Sequence, residues 1–180
     1  MSISAEITNR VQEGRLHLLQ PIMAPDEGAS PRQMYVNEEI YSLLVGPWHN
    51  EEWEERCGYL RADFDRFMQG GIIPIAEHPL LGGKNAYMRQ LFRFREEVWE
   101  IRSRDPKPSI RVLGRFADRD VFIALNWWHR TDLGGPTDRA WRDAIVGCKT
   151  EWKKLLPTYE PKSSGDDDDY PACISNTYLV

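Results

Sequence analysis

Three β-branched and aromatic runs in close succession constrain this chain more than any other feature: Val98-Trp99-Glu100-Ile101-Arg102, Ile110-Arg111-Val112-Leu113-Gly114-Arg115-Phe116 and Val121-Phe122-Ile123-Ala124-Leu125. Turn-forming segments, Asp105-Pro106-Lys107-Pro108 and Ala117-Asp118-Arg119-Asp120, separate them. Short strands joined by short polar turns pair with their neighbours, so the pattern predicts an antiparallel meander. Arginine recurs through it at 102, 104, 111, 115 and 119. Positive charge on a sheet face suggests a surface that meets something anionic.

With 180 residues, 41% of them hydrophobic, the chain suffices for one domain with a substantial core. The formal charge of −5 is unevenly placed. Residues 1–33 and 161–180 together hold eight acids and four bases, whereas 89–130 holds ten Arg or Lys against six Asp or Glu. A dedicated nucleic-acid binder is usually basic overall, so the overall composition does not advertise one. Cys57, Cys148 and Cys173 are odd in number and form no CxxC pair, which fits neither a disulfide framework nor a zinc site. No apolar run reaches the length of a membrane span, and the first twenty residues lack the pattern of a signal peptide. The expectation is a cytoplasmic protein with no membrane, metal or cofactor.

Along the chain, residues 1–33 contain a short amphipathic stretch, Ile7 to Leu19, followed by Pro21, Pro25, Gly28 and Pro31, and they read as a flexible arm. Ile40 to Val45 reads as a first strand. A helix is predicted from about Asn50, an N-cap followed by carboxylates, with Trp53, Cys57, Leu60, Phe64, Phe67 and Met68 on one face and Gly70-Gly71 at its end. The character of Tyr87 to Phe94 stays open. A last helix carries Trp141, Ile145, Cys148, Trp152 and Leu155 at spacings of three and four, and Pro157 stops it. Residues 161–180, with Asp166 to Asp169, read as an acidic disordered tail. The expected architecture is α+β: a small antiparallel sheet with flanking helices over 34–160, between disordered extensions.

The succession Pro79-Leu80-Leu81-Gly82, Val98-Trp99-Glu100-Ile101-Arg102, Ile110-Arg111-Val112-Leu113, Val121-Phe122-Ile123-Ala124-Leu125 and a closing helix resembles the RelE/HigB superfamily of bacterial toxins. The resemblance spans about residues 40–156 and rests on apolar patterning. It implies a compact fold with a small curved sheet, a cognate antitoxin as partner, and growth inhibition. Most members cleave messenger RNA on the ribosome, using a Lys or Arg for the phosphorane-like charge and a His, Glu or Tyr to move the proton. Where many relatives have a phenylalanine and two lysines, this chain has Asn126-Trp127-Trp128-His129-Arg130. On that reading Arg111, Arg115 and Arg130 are electrostatic clamps and His129 is the general acid or base. Read structurally, the arginines are a solvated sheet face and His129 caps a strand.

A different reading starts from Arg15-Leu16-His17-Leu18-Leu19. Proteins that dock on the bacterial DNA sliding clamp present an extended peptide close to Gln-Leu-x-Leu-Phe, and Leu16, Leu18 and Leu19 match three of its positions while Arg15 replaces the glutamine. Gln90-Leu91-Phe92-Arg93-Phe94 is a second partial match, through Gln90, Leu91 and Phe94. As structural elements, the leucines are one face of a helix and Leu91, Phe92 and Phe94 are strand residues. One toxin with an atypical antitoxin acts on that clamp rather than on RNA. Clamp binding that blocks replication elongation is therefore the preferred expectation, and ribosome-dependent cleavage of mRNA the alternative. The ending Tyr178-Leu179-Val180 suits engagement by an energy-dependent protease. His17, His49, His78 and His129 have no metal-ligand spacing, and Gly82-Gly83-Lys84 lacks the full phosphate-loop pattern.

Overall fold

The computed structural model describes residues 2–25, 27–76, 83–91, 96–135, 137–164 and 172–180. In chain order the elements are α1 (Ile3–Gln12), β1 (Leu16–Leu18), β2 (Gln33–Asn37), α2 (Glu38–Val45), α3 (Glu51–Met68), β3 (Ile73–Ile75), β4 (Met88–Gln90), β5 (Trp99–Ser103), β6 (Ile110–Asp118), β7 (Val121–His129), α4 (Arg139–Leu155) and β8 (Thr177–Leu179). The fold is α+β. All eight strands join one sheet, ordered β1-β2-β7-β6-β5-β4-β3-β8. The sheet is mixed and larger than expected: β2 runs parallel to β7, and β3 parallel to both β4 and β8. At its centre lies the antiparallel meander β5-β6-β7, as the three apolar runs predict.

Alternation along these strands divides the core in two. Val112 and Phe116 of β6, Phe122 and Ala124 of β7, and Trp99 and Ile101 of β5 face α2 and α3, where they meet Ile40, Leu60, Phe64 and Phe67. On the other face Leu113, Ile123 and Leu125 pack on Trp141, Ile145, Cys148 and Trp152 of α4 and on Ile7 of α1. The expected apolar stripe of α3 is buried along Cys57, Leu60, Phe64, Phe67 and Met68, with Trp53 half-buried at its start. Burial pushes the Cys148 thiol up to about 12. That cysteine is a small apolar filler, with no thiolate at neutral pH.

Three expectations about element type are corrected. Residues 40–45 belong to helix α2, because the Asn37 side chain accepts the Ile40 N–H at 3.1 Å and Glu38 and Glu39 favour the first turn. Ile40 and Leu44 share its buried face, a period of four instead of two. The strand lies earlier, at Gln33–Asn37, with Met34 and Val36 fully buried. Nor is the segment 1–33 a free arm. Ser2 caps α1, β1 pairs antiparallel with β2 through Leu16↔Asn37 and Leu18↔Tyr35, and Arg10 and Arg15 donate to the carbonyls of Leu155 and Lys154 at the end of α4. The last residues are also part of the sheet. Lys162 N–H bonds the Phe116 carbonyl at 2.7 Å, and β8 adds to β3 through Thr177↔Ile73, Tyr178↔Pro74 and Leu179↔Ile75. Asp166 to Asp169 lie outside the described residues. Among the described residues no helix is long and apolar enough to cross a membrane.

A candidate anion-binding cleft

Where β4, β5 and β6 meet the start of α4, the sheet carries a cavity of about 330 Å³ lined by Gly83, Lys84, Arg89, Glu100, Arg102, Arg104, Lys107, Arg111, Arg130 and Trp141. Strand register explains the charge cluster. Arg89 pairs with Glu100 and Arg102 pairs with Arg111, so alternation brings all four side chains to the α4 face. Glu100, with no exposed surface, is the hub. Its Oε1 accepts from Arg102 Nε at 2.6 Å and lies 2.9 Å from Arg89 Nε, while Oε2 is 3.7 Å from Arg111 Nε.

Glu100, with Asp105 4.0 Å from Lys107 and Asp63 acting on Arg104, cannot neutralise the seven cationic side chains that line the cavity. Arg102 and Arg111 are like charges directly opposite each other on neighbouring strands, which is destabilising when nothing lies between them. Burial pushes the Arg111 guanidinium down to about 10, and Arg102, Arg130 and Arg104 push it the same way, against Glu100. Arg89 and Arg104 are lowered too, by burial first and Arg102 among the rest. All stay cationic at neutral pH.

Several groups hold the cations in place. Arg102 Nη1 donates to the Gly83 carbonyl at 2.5 Å, Arg104 Nη2 to Ala86 at 2.7 Å and Arg130 Nη1 to Gly134 at 2.6 Å. The guanidinium carbons of Arg89 and Arg130 lie 5.5 and 5.8 Å from the centroid of the Trp141 ring. Cation–π attraction aligns both with it. The buried indole N–H of Trp141 has no acceptor among the described residues. A partly buried concavity with surplus positive charge and an unused donor is suited to an anion with several oxygen acceptors.

The four nuclease candidates do not assemble. Arg111 and Arg130 share the cleft. Arg115 is buried as a structural cation over Trp152, 5.3 Å from its centroid, with Nη2 donating to the Glu96 carbonyl at 2.9 Å. His129 is on the opposite face, its ring 5.5 Å from those of both Trp53 and Trp127. The physical reason is alternation: His129 and Arg130 are successive residues at the end of a strand and point to opposite sides. Trp127 and Trp128 are split likewise, and both are half-buried. His129→Ala should therefore leave anion affinity within a factor of about two, and titration with labelled nucleotide checks it. Sequence reading missed Lys84, Arg89, Glu100, Lys107 and Trp141. The arginine recurrence pointed to the region, but grouping these residues required the register of β4 on β5.

The clamp-docking candidates are mostly structural. Leu16 is fully buried and Leu19 nearly so, while Leu18 is 39% exposed on the sheet's edge strand. Arg15 is exposed. Gln90 and Leu91 are buried, and the Gln90 amide donates to Glu97 at 3.1 Å and to Ser164 at 3.0 Å. Phe94 and Phe92 lie outside the described residues, as does Pro79 to Gly82. Among the described residues no cluster of His, Cys, Asp and Glu is arranged to hold a metal ion.

No family model, curated protein or solved structure matches the chain.

Proposed function

We propose that this protein is the toxin of a bacterial toxin–antitoxin pair and that its target is RNA, the ribosome-bound messenger that the RelE/HigB resemblance implies. The observation carrying this reading is the convergence of Arg111 and Arg130 with five other cations on one cleft. Phosphate is the anion that such a cluster of arginines recognises best, through paired charge-assisted N–H···O bonds. The order of the meander β5-β6-β7 followed by α4, with Glu100 and Arg102 of β5 lining the cleft, supports the resemblance. Arginines supply transition-state charge stabilisation, but His129 is too far round the sheet to move a proton there. Binding of RNA is the step favoured over cleavage.

A second reading, docking on the sliding clamp, draws on Leu18, exposed on edge strand β1 beside Arg15. An edge strand has unpaired backbone groups available to a partner. Burial of Leu16 and Leu19 weighs against it, since docking would detach β1 from β2.

Induced expression in bacteria separates the two. On the RNA reading translation stops before DNA synthesis, and Arg111→Ala with Arg130→Ala restores growth while Arg15→Ala with Leu18→Ala does not. Leu18 and Arg15 are chosen because their exposed side chains can be truncated without opening the core. Replication stopping first, with rescue by the Arg15 and Leu18 pair, would establish the clamp instead. Transcript ends mapped during induction report whether cleavage accompanies binding.

A further inference from the structure

We infer that the cleft is built for a terminal phosphate monoester, the end of an RNA chain or of a free nucleotide, and not for a phosphodiester inside a strand. The inference deepens the RNA reading and rests on it only for the larger molecule that carries the phosphate.

Size is the first argument. At about 330 Å³ the cavity lies at the low end of small-molecule sites, which run from roughly 300 to 1,000 Å³. That volume suits a phosphate with its adjoining sugar. Charge is the second argument. A diester carries one negative charge, whereas a monoester carries about −1.5 to −2 at neutral pH and presents three acceptor oxygens. Asp105 lies 4.0 Å from Lys107, and Asp63 and Asp105 act on Arg104, yet seven cations against these two and Glu100 still leave more positive charge than a diester would balance.

The donors also outnumber what one diester accepts. Glu100 engages the Nε sides of Arg89, Arg102 and Arg111, which fixes these planar groups from behind. Glu100 is thus a positioning residue: with it on the Nε sides, and with the carbonyls of Gly83 and Ile110 each taking one Nη of Arg102 and Arg111, the guanidiniums are held in fixed orientations. The Trp141 N–H, with no acceptor among the described residues, adds a neutral donor. Trp141 is the one aromatic side chain lining the cleft among the described residues, and its ring has Arg89 and Arg130 as cation–π neighbours at 5.5 and 5.8 Å. Recognition then reads the phosphate and is indifferent to sequence.

Four probes test this with the full-length protein by direct titration: a short 5′-phosphorylated RNA, the same RNA with a 5′-hydroxyl, a 3′-phosphorylated version, and a nucleoside monophosphate. A terminal phosphate at one end should bind at least about thirtyfold more tightly than the hydroxyl form, since it adds two or more charge-assisted bonds. Arg130→Ala and the solvent-side Lys107→Glu should each weaken it about tenfold or more. Lys107 is on an exposed turn, so its variant folds even where an arginine variant does not. Equal affinity for phosphorylated and hydroxyl ends, both dependent on Lys107, would overturn the terminal-phosphate assignment and leave the RNA reading standing. Binding of the monophosphate with no binding of any RNA would uphold the site and overturn the RNA reading. No binding by any probe would overturn both.

Discussion

Glu100→Gln should cost about 3–5 kcal/mol of folding stability, the range for removing one partner of a buried ion cluster. The carboxylate has no exposed surface and lies 2.6 Å from Arg102 Nε, 2.9 Å from Arg89 Nε and 3.7 Å from Arg111 Nε. A neutral amide of the same size preserves packing but leaves three guanidiniums facing one another, with Arg104 and Arg130 close behind. Their repulsion then has no internal counter-charge. The loss should be partly reversed by millimolar inorganic phosphate, because a ligand that binds only the folded state stabilises it by RT ln(1 + [L]/Kd), about 2.7 kcal/mol at a hundredfold excess over Kd. Urea unfolding of the two proteins, with and without phosphate at constant ionic strength, reads both effects. Unfolding free energies that agree within about 0.5 kcal/mol would show that Glu100 holds nothing together.

The same residue shows what could be read before the fold was in hand. A glutamate inside an apolar strand is visible in the sequence, and so are the arginines at 102 and 111. What is not visible is that Arg89 lies opposite Glu100 and Arg102 opposite Arg111, because register depends on turn geometry that no single residue carries. The helices α3 and α4 and the meander were legible, since long periodic stretches and clustered β-branched residues leave little competition. Short elements were not. Leu16–Leu18 and Thr177–Leu179 are three-residue strands whose pairing comes from the sheet edges they complete, and Ile40-Tyr41-Ser42-Leu43-Leu44-Val45 has strand-like composition that the Asn37 cap overrides. The expected catalytic set failed for a sharper reason: no regular strand end puts His129 and Arg130 on one face.

Gly114→Ala should destabilise the protein by about 3 kcal/mol, the upper end of the usual cost of overpacking a core. A Cβ at this position would come 2.3 Å from the backbone oxygen of Ile123 and 2.5 Å from Cζ of Phe122. Backbone has no rotamer into which to escape, and the Phe122 ring is wedged 5.0 Å from Phe116 and 5.9 Å from Phe67. The approach is this close because the β6–β7 register slips between Leu113 and Gly114: Leu113 faces Asn126, Gly114 faces Ala124, and Leu125 is the extra residue of a bulge. That bulge sets the parity of everything after it. Ile123 and Leu125 face α4, the Asn126 amide donates to the Ala144 carbonyl on the same side, and Trp128 follows. Arg130 thereby arrives in the cleft and His129 against Trp53. Without the extra residue, alternation from Ile123 would place Trp127 and His129 toward α4 and turn Arg130 away. Relief of the clash created by the added methyl group requires β7 to shift along β6, so anion affinity should fall at least about tenfold together with stability. Chemical denaturation and phosphate titration of the same variant give both readouts. A G114A protein with normal stability would mean that the close approach at the bulge is not what fixes the end of β7, and that the placement of Arg130 has another cause.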